Sequence, residues 1–127
     1  MKARILIIED DGPSSYLFRL LLEDDGFAVR TAADGAGGRQ ALAEEIPDLV
    51  VLDYQLPDLN ACEFVQSLNP VLQAEDIPVL IVSANLSIPE ECRSVLRAHG
   101  CSTLQKPIDP DVFISKVRDL LEERSPQ

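Results

Sequence analysis

The hydrophobic and polar positions of this chain alternate between strand-like and helix-like patterns. Continuous apolar runs read ILII at residues 5–8, LVVL at 49–52 and VLIV at 79–82. Such Val/Ile/Leu runs are typical of strands that are covered on both faces, as in a parallel sheet. Weaker strand patterns lie at residues 27–31 and 102–105. The pattern therefore predicts five strands.

Helical segments are predicted between the strands. The first covers about residues 13–25, with Tyr16, Leu17, Leu20 and Leu21 on one face, and Gly26 should end it. The second, at residues 34–45, is weak in isolation because its three glycines lower the helix propensity.

Capping signals mark the three remaining helices. Asn60 is the expected N-cap of the third helix, which should end at Pro70. The fourth is expected to start at Ser87, with a proline in its first turn, and the fifth at Asp109, directly before another proline. Five βα units with right-handed crossovers predict an α/β fold, an open doubly wound sheet with helices on both faces.

Length and composition favour one globular domain over residues 1–127, with a frayed tail at 124–127. No apolar run approaches the roughly 20 residues of a membrane span, and no signal peptide is recognisable, so we expect a cytoplasmic protein. The net charge of −11 and the lack of Lys/Arg clusters make direct nucleic-acid binding an unattractive hypothesis.

The sequence offers little for zinc or for nucleophilic catalysis by a thiol or a serine. The three cysteines, Cys62, Cys92 and Cys101, form no CxxC pair, and their odd number suits free thiols in a reducing compartment. The single histidine, His99, lies at a predicted helix end, where it complements the helix dipole.

Polar side chains follow four of the predicted strands. Glu9 and Asp10 come directly after the first strand, Asp53 after the third, Ser83 after the fourth and Lys106 after the fifth. In open α/β sheets, ligands bind beyond the carboxyl ends of the strands. We therefore expect these five side chains to converge on one edge of the sheet.

The chemistry of this set suits a phosphoryl group handled together with a hard cation. Neighbouring carboxylates raise one another's pKa unless a cation balances them. Oxygen ligands without His or Cys are typical of Mg²⁺. A lysine and a serine could hold the oxygens of a phosphoryl group while a carboxylate oxygen attacks in line.

Four motifs carry a family resemblance: IIEDD at residues 7–11, VVLDYQLP at 50–57, VSA at 82–84 and QKP at 105–107. In this order and on these elements, they resemble the signatures of response-regulator receiver domains of bacterial two-component signalling. The resemblance covers residues 2–124. It implies a flavodoxin-like five-stranded parallel sheet in the order 2-1-3-4-5.

The resemblance also implies roles for individual residues. Asp53 is the expected phosphoacceptor, loaded from a phosphohistidine of a sensor histidine kinase or a histidine phosphotransfer protein. Glu9, Asp10, Asp53 and the backbone carbonyl of Gln55 are expected to bind Mg²⁺.

On the phosphate side, the family implies that Ser83 contacts the phosphoryl group and couples it to loop movement. Lys106 is expected to pair with the phosphate, and the bond from Lys106 to Pro107 should be cis. A downstream protein or output domain is expected on the face formed by the fourth helix, fifth strand and fifth helix, and a homodimer is a further possibility. The protein is then not an enzyme in the usual sense, but a phosphoacceptor with slow autodephosphorylation.

Two hypotheses remain open at this point. The family usually carries an aromatic switch residue three positions before the lysine, where this chain has Thr103. A pseudo-receiver, which binds partners without phosphorylation, is therefore the alternative to a phosphorylatable receiver.

Gln55 and Asn85 could flank an attacking water or be ordinary loop residues. Asp11 is expected to cap the first helix rather than bind metal.

Overall fold

The computed structural model describes residues 2–84 and 88–123. Strands and helices alternate along it. The elements are β1 (Arg4–Ile8), α1 (Gly12–Asp24), β2 (Ala28–Ala32), α2 (Gly35–Glu44), β3 (Leu49–Asp53), α3 (Ala61–Ala74), β4 (Val79–Ser83), α4 (Glu90–Ala98), β5 (Ser102–Gln105) and α5 (Pro110–Glu122). The hypotheses about Asn85, Ser87 and the tail at 124–127 fall outside the described residues.

The five strands form one parallel sheet in the order β2-β1-β3-β4-β5, which confirms the predicted architecture. The central strands β1, β3 and β4 are almost entirely buried. Side chains alternate between the two faces of each strand. Ile5 and Ile7 pack with α1 and α5, whereas Leu6 and Ile8 pack with α2, α3 and α4. The result is three layers with the sheet in the middle.

Sequence signals locate several helix ends correctly. Asn60 accepts a hydrogen bond from the Glu63 peptide at 2.9 Å, and Glu63 accepts one from the Asn60 peptide at 3.1 Å, so the capping box is present. Asp109 caps α5, and α1 ends just before Gly26, whose φ of 93° requires the left-handed conformation that glycine tolerates.

The predicted end of α3 at Pro70 is wrong, because the helix continues to Ala74. Pro70 is exposed, so the carbonyl group that loses its partner lies on the solvent side, where water can bond it. Leu72, two residues further on, is only 7% exposed in the core. Burial of its side chain favours continuing the helix past the proline.

Ser87, the predicted start of α4, lies outside the described residues, but the predicted placement of Pro89 in the first turn is wrong. The helix begins at Glu90, with Pro89 at the N-cap rather than in the first turn. Proline fixes its own φ and disfavours helical conformation in the residue before it, so a helix readily starts just after it.

The apolar face predicted for α1 is wrong for three of its four residues, because only Leu21 packs against the core. Phe18 and Leu22 are buried, whereas Tyr16, Leu17 and Leu20 are 64%, 45% and 45% exposed. Phe18 stacks on Phe113 of α5 with ring centroids 5.1 Å apart. Two apolar sets run along this helix, and the contact with α5 selects the set that contains Phe18.

Helix α2 packs closely onto the sheet in spite of its glycines. A Cβ atom at Gly38 would lie 2.5 Å from the Cδ1 atom of Ile8, closer than real Cβ contacts allow. The glycine therefore permits the approach of α2 to β1. None of the helices in residues 2–84 and 88–123 has the length and apolar content needed to cross a membrane.

Candidate acidic and phosphate-handling site

The five polar residues expected at the sheet edge are placed there by strand geometry. Glu9 and Asp10 follow β1 directly, Asp53 and Ser83 are the last residues of β3 and β4, and Lys106 follows β5. Parallel registers align these strand ends, because Asp53 pairs with Val82 while Ser83 pairs with Gln105. The predicted convergence of the five groups is confirmed.

Three carboxylates form the centre of the site. Carboxylate oxygens of Glu9, Asp10 and Asp53 lie within 4.8 Å of one another. Glu9 and Asp53 are buried, at 3% and 8% exposure, and Asp10 is exposed. An oxygen-only donor set of this size, open to solvent on one side, fits a hard divalent cation that keeps part of its water shell, as Mg²⁺ does.

Lys106 lies across this cluster, nearer to Glu9 than to Asp53. Its Nζ atom donates to Glu9 Oε1 at 2.6 Å and lies 3.7 Å from Asp53 Oδ1. The Lys106 peptide donates to the carbonyl of Ser83 at 2.8 Å, which joins the loops after β4 and β5. The bond between Lys106 and Pro107 is cis, as expected.

The electrostatics of the site are dominated by the crowding of its acids. Burial, together with the hydrogen bond and negative charge of Glu9, raises the pKa of Asp53 from its ordinary 3.8 to about 7, although Lys106 opposes the shift. Burial disfavours the charged form of Lys106, but its bond to Glu9 and the charge of Asp53 leave the pKa of Lys106 above its ordinary value. A bound cation would remove the repulsion that the lysine only partly offsets.

The loop after β3 folds back on itself as a short hairpin over residues 54–61. The Ala61 peptide donates to the Tyr54 carbonyl at 2.8 Å, and the Leu56 peptide donates to the Leu59 carbonyl at 3.1 Å. These bonds flank the bridge between Gln55 and Asn60, so the peptide groups of Gln55 point away from Asn60. The Gln55 carbonyl is therefore outside the hairpin's own ladder.

Two further positions qualify the sequence interpretation. Asp11 accepts from the Ser14 peptide at 3.0 Å and caps α1, as expected. Thr103, in place of the family's aromatic residue, is exposed on β5.

Sequence reasoning missed Asp58, which binds the start of α2. No local pattern could reveal this contact, because 23 residues separate Asp58 from Gly35.

Fold and site together define a doubly wound α/β protein with an acidic, lysine-flanked site at the carboxyl edge of its sheet. The family model of the response regulator receiver domain matches residues 5–118. The chain belongs to this family, whose members are the receiver domains of two-component response regulators.

Relatives and solved structures agree with this assignment. The chain is 32% identical over 126 residues to the response regulator MprA of Mycobacterium sp. (strain KMS), with 99% of this chain and 54% of that protein covered. It is 38% identical over 127 residues to the DNA-binding dual master transcriptional regulator RpaA of Synechocystis sp., with 98% and 52% covered. The chain thus spans about half the length of the curated relatives it matches.

A crystal structure of a CheY-like response regulator receiver domain protein from Methanospirillum hungatei has the same fold. It superposes with a TM-score of 0.88 at 24% identity and covers 97% of this chain and 96% of its own.

Proposed function

We propose that this chain is a phosphorylatable receiver switch in which Asp53 accepts a phosphoryl group from a phosphohistidine of a sensor kinase or phosphotransfer protein. A carboxylate oxygen of Asp53 forms the new bond to phosphorus. The bond between phosphorus and the histidine nitrogen breaks, and the imidazole keeps the electron pair of that bond. The observation that carries this proposal is the close approach of Glu9, Asp10 and Asp53 beside Lys106.

The other side chains would position the group and balance its charge. Glu9, Asp10, Asp53 and the Gln55 carbonyl would hold Mg²⁺, which, when bound, supplies positive charge that favours the ionised carboxylate and offsets the charge of the phosphoryl oxygens. Lys106 would move from Glu9 toward the phosphoryl oxygens, a distance that its flexible side chain can cover. Ser83 would hold another phosphoryl oxygen.

Phosphorylation would then shift the populations of two conformations of the surface formed by α4, β5 and α5. A downstream protein, an output domain or a second copy would bind to this surface. Because position 103 carries threonine rather than an aromatic residue, we propose that the response depends on Ser83 and its loop. The chain would act in the cytoplasm, as a substrate of phosphotransfer and of its own slow dephosphorylation rather than as an enzyme with a separate substrate.

The test is the intact mass of the protein after incubation with acetyl phosphate, with and without Mg²⁺. We expect a Mg²⁺-dependent gain of one phosphoryl group in the wild type and none in Asp53→Asn. Asp11→Asn is the matched control: it makes the same chemical change two positions from Glu9, and asparagine remains a good N-cap, so labelling should persist. The proposal fails if neither acetyl phosphate nor a phosphorylated histidine protein labels the wild type, a result that would favour the pseudo-receiver.

A further inference from the structure

The first turn of α2 is held by two carboxylates, only one of which lies next to it in sequence. Asp34, the N-cap, accepts from the Gly37 peptide at 2.7 Å. Asp58, in the hairpin after β3, accepts from the Gly35 peptide at 2.8 Å and from the Ala36 peptide at 3.0 Å. Peptide N–H groups at a helix start have no partner within the helix, so both carboxylates satisfy donors that the helix leaves unbonded.

Gly35 is the residue that allows the hairpin to approach this closely. A Cβ atom at position 35 would lie 2.9 Å from Leu59 Cδ2 and 3.1 Å from Asp58 Oδ1. A larger residue at position 35 would push against the Leu59 and Asp58 side chains that form this contact. This glycine lowers the intrinsic stability of α2, and the contact with Asp58 accounts for its presence at the helix start.

The hairpin that carries Asp58 also carries Gln55. Its two cross-bonds, Ala61 to Tyr54 and Leu56 to Leu59, make it a compact unit, and Leu59 packs against the core. A contact that fixes the tip of the hairpin therefore restricts the Gln55 peptide at its base. The bonds from Gly35 and Ala36 also hold the pKa of Asp58 below its ordinary 3.8, so this carboxylate is charged at neutral pH.

We propose that Asp58 is a positioning residue, which ties the hairpin after β3 to the start of α2 and so fixes the Gln55 carbonyl for binding a divalent cation. This inference rests on the proposed cation site. A fixed ligand loses less conformational freedom on binding, so the tie should strengthen binding of the cation. By linkage, cation binding should in turn strengthen the tie.

The first experiment compares Mg²⁺ binding by calorimetry for the wild type, Asp58→Ala and Asp34→Ala. Asp34→Ala is the matched control, because it removes a cap from the same helix end but leaves the hairpin attached. We expect Asp58→Ala to weaken the Kd for Mg²⁺ about 5- to 10-fold, in the range of ordinary coupling between sites, and Asp34→Ala to change it by less than about twofold. Equal Kd values for wild type and Asp58→Ala overturn the inference, and so do equal losses in the two variants.

The second experiment needs no variant and so does not depend on a variant's folding. Amide exchange at Gly35 and Ala36 should slow several-fold when Mg²⁺ is added to the wild type. The amides of Asp111 and Val112 are the control, because the Asp109 carboxylate caps them in the same way at α5, away from the hairpin. Exchange at Gly35 and Ala36 that does not respond to bound Mg²⁺ contradicts the proposed coupling.

The two levels of proposal fail differently. A wild type that binds no Mg²⁺ removes the cation site, and with it this inference. A wild type that binds Mg²⁺ and is phosphorylated, together with an Asp58→Ala variant of unchanged affinity, removes only the role of Asp58.

Discussion

Replacing Asp53 with asparagine should stabilise the cation-free protein at alkaline pH. The pKa of Asp53 is raised from 3.8 to about 7 by burial and by Glu9. Between these two values the folded chain holds a proton that the unfolded chain has released, so stability falls as the pH rises through this interval. Above about pH 7 the penalty is complete, and the neutral amide of the Asp53→Asn variant avoids it.

The size of the effect follows from the shift. About three pKa units correspond to at most about 4 kcal/mol. The cluster opens to solvent at Asp10, which is exposed, so screening reduces this figure to about 2 kcal/mol. For a chain of this length, that gain corresponds to a rise in Tm of about 6–10 °C.

The assay is thermal unfolding in EDTA at pH 8 and at pH 5, followed by circular dichroism. The Tm of Asp53→Asn should exceed that of the wild type most at pH 8. The difference in Tm should be smaller at pH 5, where Asp53 is protonated in the folded wild type. Asp119→Asn is the control for net charge, because it removes one exposed carboxylate near the end of α5. Mg²⁺ should reduce this difference in Tm, since Mg²⁺ at a concentration one hundred times its Kd stabilises the wild type by about 2.7 kcal/mol. A variant no more stable than the wild type at pH 8 in EDTA would refute the reasoning.

Three other perturbations have clear expected outcomes. The Kd for Mg²⁺, measured by calorimetry, should weaken about tenfold for each pH unit below about 7, because a proton must leave Asp53 before the cation binds; a flat profile would contradict this. Gly38→Ala should lower the free energy of unfolding in urea by about 1–3 kcal/mol, because its Cβ would clash with Ile8, whereas Gly12→Ala meets no atom within 4 Å and should be nearly neutral. Asp109→Ala should cost about 1 kcal/mol in the same assay by removing the cap of α5, and an unchanged urea midpoint would argue against that cap.

The site was predictable from the sequence because each of its side chains comes at, or one or two residues after, the end of a strand. A continuous apolar run shows where a buried strand ends, and parallel topology brings all such ends to one edge. Glu9, Asp10, Asp53, Ser83 and Lys106 could therefore be grouped without any knowledge of long-range contacts. The pairing inside the group was not predictable, since nothing local shows that Lys106 lies closer to Glu9 than to Asp53.

The errors arose where the outcome depends on a distant partner. In α1, two apolar sets both satisfy helical spacing, and only the packing of Phe18 on Phe113 decides which one is buried. At Pro70, local chemistry favours a helix end, but burial of Leu72 two residues later outweighs it. These are tertiary effects, which periodicity and propensity do not contain.

The stability cost of the acidic cluster and the tie at Asp58 have a common physical origin. Rigid strand ends force Glu9 and Asp53 together, so the cation-free site stores repulsion that a cation or a neutral substitution relieves. The hairpin that supplies Gln55 is not part of a strand, so it has no such rigidity of its own. Contacts such as the one between Asp58 and the start of α2 must provide it. The strand ends should therefore determine the charge of the site and supply most of its ligands, whereas the hairpin should adjust the affinity for the cation. Asp53→Asn removes a charge and a proposed ligand, so it should raise the stability of the cation-free protein and weaken cation binding together. Asp58→Ala should weaken cation binding while the strand ends and their charges stay in place.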